Sequence, residues 1–96
     1  MERRRYLVTY DVSDDKRRSK VFHLLRDHGD HAQYSVFFCE LTNTELAELR
    51  GRLAEAIHHR EDQVLLLYLG RATSPLDLSL ECLGKPYQPP DRVFIV

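Results

Sequence analysis

Residues Arg5 to Val12 (Arg-Tyr-Leu-Val-Thr-Tyr-Asp-Val) form a strand-forming run in which both faces are largely apolar. At strand periodicity Tyr6, Val8 and Tyr10 share one face, and Leu7, Thr9 and Asp11 share the other. A strand built this way belongs in the middle of a sheet and is covered on both sides. It delivers one carboxylate, Asp11, to its C-terminal end, and Ser13-Asp14-Asp15 then reads as a helix start. Strand ends that feed helix N-termini are where α/β architectures gather ligands. Asp11 is therefore the first residue to examine for chemistry, although a carboxylate leaving a strand serves equally well as a turn or capping residue.

The rest of the chain alternates with this strand. A helix is predicted from Asp14 or Asp15 to His28, with Val21, Phe22, Leu25 and His28 as its core stripe. Gly29 suits the left-handed position that closes such a helix. Lys16, Arg17 and Lys20 fall on another face, near the N-terminus and so near Asp11. Ala32 to Leu41 is a second strand region, long enough that a break near Ser35 is expected to divide it. Thr42 and Glu45 fit a capping box, opening a helix that carries Leu46, Leu49, Leu53, Ala56 and Ile57 to about His59. Gly51 inside it costs about 1 kcal/mol relative to alanine. Gln63 to Leu69 reads as a buried strand ended by Gly70.

Residues 71–92 hold all four prolines and predict a looping connection. The chain then ends in Val93-Phe94-Ile95-Val96, an apolar run that must pair with something, including the sheet of another subunit. The order strand, helix, divided strand region, helix, strand specifies an α+β fold, the ferredoxin-like split βαβ sandwich. Residues 1–70 make its core; residues 71–96 add a Pro-bearing connection and an extra C-terminal strand within the same single domain. Two helices cover one sheet face, and the other face is expected to be covered by a second copy.

Charge is distributed unevenly. Residues 1–26 hold eight Lys/Arg against four acids, whereas residues 27–62 hold three against eight, so the basic pole coincides with the strand and helix around Asp11. A protein that holds phosphate near a carboxylate would be charged this way, as would one whose helix face is simply solvated. No apolar run approaches the ~18 residues of a membrane span. The N-terminus has basic residues but no signal-like apolar stretch, so a cytoplasmic protein is expected. Cys39 and Cys82 lack metal-ligand spacing and are read as reduced and structural. His23, His28, His31, His58 and His59 show no spacing suited to a transition metal.

Tyr10-Asp11-Val12-Ser13-Asp14-Asp15, Arg17-Arg18, Gly29, Gln33-Tyr34-Ser35-Val36-Phe37 and the strand from Asp62 to Tyr68 together resemble the smaller of the two universal CRISPR adaptation proteins, the Cas-two nuclease family. The resemblance covers residues 5–70 with compatible spacing. It implies a homodimer whose strand-one aspartates face each other, acting as a metal-dependent endonuclease on single-stranded RNA or double-stranded DNA. It further implies that the dimer bridges the adaptation integrase and prespacer DNA. In such proteins the terminal strand, here Val93, Phe94, Ile95 and Val96, pairs with the other subunit where the integrase docks. Two positions depart from the pattern. His31 stands where an arginine often precedes the Gln-x-Ser-Val-Phe segment, and Phe38 stands where a glutamate commonly follows it, with Glu40 close by.

Phosphodiester hydrolysis needs an activated water and relief of charge on the transition state. Mg²⁺, or Mn²⁺, supplies both and takes hard oxygen ligands. One Asp11 per chain is thin, but a two-fold axis brings a second. Around it Tyr10, Ser13, Lys16, Arg17, Arg18 and His31 are the candidate phosphate or nucleic-acid contacts; His31 would bring a pH dependence that arginine lacks. Phe37 is assigned to the core or dimer face in preference to stacking on a base. Two other readings compete with the endonuclease: a non-catalytic scaffold of the adaptation complex, and a related ferredoxin-like toxin endoribonuclease.

Overall fold

The computed structural model describes residues 2–87, so the run Val93–Val96 lies outside the described residues. Six elements follow in order: β1 (Arg4–Asp11), α1 (Asp15–His28), β2 (Gly29–Gln33), β3 (Val36–Leu41), α2 (Asn43–Ala56) and β4 (Gln63–Arg71). A single 3-10 turn, Leu76–Leu78, lies in the segment that follows. The sheet order is β2-β3-β1-β4, and every neighbouring pair is antiparallel. This is the expected ferredoxin-like plan.

The two-faced apolar strand β1 takes an inner place beside β3, paired with β3 on one side and β4 on the other. Tyr6 lies opposite Cys39 and Tyr68, and Val8 opposite Phe37 and Leu66, so one face of three strands is apolar in register. Both helices cover that face. Val21 and Leu25 of α1 and Leu46, Leu49, Leu53 and Ala56 of α2 are buried against it. Val8, Leu25, Phe37 and Leu49 are fully enclosed, each contributing roughly 1.5–3 kcal/mol of burial. Thr42 caps α2 in a complete capping box with Glu45, as its sequence requires. The second strand region does divide at Tyr34-Ser35, and the hairpin this creates supplies the fourth strand.

Several expectations are corrected. Gly29 does not adopt a left-handed conformation: its φ of −167° and ψ of −169° are extended, and it is the first residue of β2. A glycine is needed there for closeness, since an added Cβ would lie 2.5 Å from both the Cys39 Sγ and the Phe38 carbonyl oxygen. The helix runs straight into the strand, and only a hydrogen fits between them. α2 ends at Ala56 rather than near His59. Among the described residues β4 lies at the edge of the sheet and is not a buried strand, and Leu65, Leu67 and Leu69 are about half exposed. Gly70 does not end it; it lies within the strand at a positive φ of 98°. Of the cysteines, Cys39 is buried in the sheet, while Cys82 is free and exposed.

The second sheet face is divided. The Ala72 amide donates to the Arg3 carbonyl, Arg5 donates to the Ser74 carbonyl at 2.6 Å, and the Tyr87 ring meets Phe38 edge-on. The chain after β4 thereby covers the β3 side of this face. The side formed by β4, with its leucines, is left bare among the described residues.

Candidate functional site

The C-terminal end of β1, the N-terminus of α1 and the β2–β3 turn converge at one end of the sheet. Between them lies a cleft of about 380 Å³ lined by Tyr10, Asp11, Val12, Arg18, Phe22, Tyr34 and Ser35. Asp14 caps α1 by accepting the Arg17 amide at 2.9 Å, which fixes the turn that follows Asp11. Asp11 is exposed and lies on the partly bare face, opposite Gln63 in the ladder.

The neighbouring carboxylates are all engaged. Asp15 pairs with Arg18. Asp62 is held by Arg17, whose Nε donates at 2.6 Å and Nη2 at 3.1 Å, and it also accepts the His58 amide at 2.8 Å. The guanidinium is the largest cause of the depression of its carboxyl to about 2, and the amides of His58 and Ser13 add to the effect against the cost of burial. The Asp11 carboxylate has no hydrogen-bond or ion-pair partner among the described residues. A carboxylate left free in the midst of satisfied ones is available to an external ligand. Its oxygens suit a hard divalent cation, which accepts one or two carboxylates and fills its remaining positions with water. Among the described residues no group of three or more His, Cys, Asp or Glu side chains gathers to hold a metal, so in this cleft Asp11 is the one carboxylate such an ion would take from a single chain.

The other candidates divide between site and support. Arg18 lines the cleft and donates from Nη1 to the Val12 carbonyl at 3.2 Å, with its side chain 45% exposed. Tyr10 also lines it; burial raises its hydroxyl pKa while Arg18 opposes the rise, and its ring stacks on Phe37 at 6.4 Å. Ser13 and Lys16 are exposed at the entrance to α1. Arg17, adjacent in sequence to Arg18, faces Glu61 and Asp62 instead of the cleft. His31 packs on Phe22 and Phe37, with ring centroids 5.1 and 4.8 Å away, and its Nε2 lies 2.9 Å from the Tyr34 carbonyl oxygen. It braces the turn at the rim of the cleft. Phe37 is wholly buried, as expected of a core residue.

Two residues have a place at the site that the sequence does not assign them. Asp62 joins the β1–α1 turn to the α2–β4 loop through a pairing 45 residues apart, for which no local pattern exists. Tyr34, at the rim, is 95% exposed; the sequence places it in the Gln33–Phe37 segment without assigning it a role.

Comparison with known proteins identifies the family and agrees with the fold. Residues 4–74 match the family described as CRISPR associated protein Cas2. The chain is 45% identical over 90 residues to a CRISPR-associated endoribonuclease Cas2 of Thermodesulfovibrio yellowstonii, covering 94% of this chain and 93% of that one. It is 37% identical to another of that name from Rhodospirillum rubrum, over 95% and 88% of the two chains. The crystal structure of Streptococcus pyogenes Cas2 superposes with a TM-score of 0.72 at 33% identity, covering 83% of this chain and 99% of that one. No helix among the described residues is long and apolar enough to cross a membrane.

Proposed function

This chain belongs to the Cas2 family of CRISPR-associated proteins, and we propose that it works as a homodimeric, metal-dependent endonuclease of RNA or double-stranded DNA that also bridges the adaptation integrase and prespacer DNA. The relatives named as endoribonucleases support the cleavage reading. The observation that carries it is the free Asp11 carboxylate, set between the arginine-bearing cleft and the bare leucine face.

Burying that leucine face against a second copy would bring two Asp11 side chains towards a shared axis. A Mg²⁺ or Mn²⁺ ion held between them would supply a nucleophilic water and offset charge on the scissile phosphate. Arg18 binds and orients the phosphate from the cleft wall, and the Tyr10 hydroxyl, kept protonated, donates to a phosphate oxygen. Ser13 and Lys16 add contacts along the strand backbone at the entrance to α1. Arg17 acts at one remove, since its pairing with Asp62 holds the turn that carries Ser13. The terminal run Val93–Val96 is assigned to integrase docking on its sequence alone.

Asp11→Asn tests this reading. The variant is expected to fold and dimerise normally while losing metal-dependent cleavage of both single-stranded RNA and duplex DNA. Persistent cleavage would remove Asp11 as the metal ligand. The one carboxylate per chain favours a second reading, a scaffold without required catalysis. Spacer integration with the partner integrase separates the two: if cleavage is lost and integration survives in Asp11→Asn, scaffolding is the biological role.

A further inference from the structure

We infer that Tyr34 is a stacking platform for an unpaired nucleobase, and that the cleft beneath it takes one nucleotide of a single strand. This rests on the nucleic-acid reading of the Asp11 site and adds to it a selector for unpaired bases. Tyr34 lines the same cleft as Asp11 and Arg18, so a base, its phosphate and the free carboxylate can be served by adjacent groups. The cleft volume of about 380 Å³ falls in the range of small-ligand sites.

Three observations set Tyr34 apart from an ordinary turn residue. It is 95% exposed, so its ring adds nothing to the core, whereas the next most exposed tyrosine, Tyr68, is at 50% and packs near Tyr6. The turn has no conformational need for it, since no residue there has a positive φ. The turn is also anchored on both sides. The His31 Nε2 lies 2.9 Å from the Tyr34 carbonyl oxygen, and the Tyr10 amide donates to the Ser35 carbonyl at 3.2 Å. A ring presented from a fixed backbone loses little freedom when a base settles on it. Phe37 is unavailable for the same task, being enclosed by Tyr10, Phe22 and His31.

The occupant is a single strand because duplex bases are already stacked on their neighbours and offer no free face to a side chain at a rim. Aromatic stacking tolerates any base, so the preference is for unpairedness and not for a sequence.

The experiment uses the full chain in an Asp11→Asn background, so that binding is read without cleavage, and a short oligoribonucleotide carrying 2-aminopurine as the probe. Tyr34→Ala is expected to weaken single-strand binding by about 5- to 150-fold and to abolish quenching of the 2-aminopurine. Tyr34→Trp should restore both, and duplex DNA affinity should barely change. Unaltered binding by Tyr34→Ala, or equal losses for single strand and duplex, would overturn the inference. Its failure is separable from failure of the metal site: cleavage that survives Asp11→Asn removes the metal ligand and leaves the stacking result standing. Loss of cleavage in Asp11→Asn with normal binding by Tyr34→Ala removes only the platform.

Discussion

The two faces of the sheet are made from the same three long strands and have opposite fates. On the helix face Val8, Phe37 and Cys39 are fully enclosed. On the other, among the described residues, Leu65, Leu67 and Leu69 are about half exposed, and the segment after β4 roofs the β3 side. Residue type alone does not separate them, since the bare face carries Leu65, Leu67 and Leu69. What separates them, among the described residues, is that the helices cover the one, and the segment after β4 leaves the β4 side of the other open. The covered face supplies the folding energy, and the open one, where Asp11 lies, carries the apolar area that the proposed dimer would bury.

Substitutions on the two faces should therefore affect the single chain very differently. Phe37→Ala removes a side chain packed between Tyr10, Phe22 and His31, and it should cost about 3–5 kcal/mol in urea unfolding. Asp62→Asn, at the junction of loops below the helices, should have an intermediate effect that depends on pH. The folded-state carboxyl is held at about 2, below its ordinary 3.8, so the unfolded chain takes up a proton first as pH falls. The pair's contribution is full above the unfolded value and fades as pH drops towards 2. Melting curves of parent and variant should lie furthest apart near neutral pH and converge in acid; a constant gap would mean that the charge is not what holds the turn. Leu67→Glu should change single-chain stability least, within about 0.5 kcal/mol, while abolishing self-association in sedimentation. If it unfolds the monomer instead, the contrast between the faces is wrong.

Local patterns were read well because local physics decides them. The capping box at Thr42, the helix start in Ser13-Asp14-Asp15 and the alternation of Tyr6, Val8 and Tyr10 all lie within a few residues of their partners. The fourth strand was legible only as a break near Ser35. Gly29 was misread because a glycine after a helix most often relieves backbone strain, whereas here it clears space for Phe38 and Cys39 across the ladder. The same limit applies to β4: a run of leucines announces a strand but not whether it lies at an edge. Of the two adjacent arginines, Arg18 reaches the cleft and Arg17 reaches Asp62. Sequence offers no means of telling them apart, since the distinction depends on a loop 45 residues away.

The burial of Cys39 also determines how the protein responds to thiol reagents. Desolvation, reinforced by Asp30, pushes its thiol up to about 12, so at neutral pH it is protonated as well as enclosed. Cys82 lies exposed on the segment after β4. A chain with two cysteines thus has a single addressable one, and an alkylating probe or spin label will report from that segment without any cysteine having to be removed.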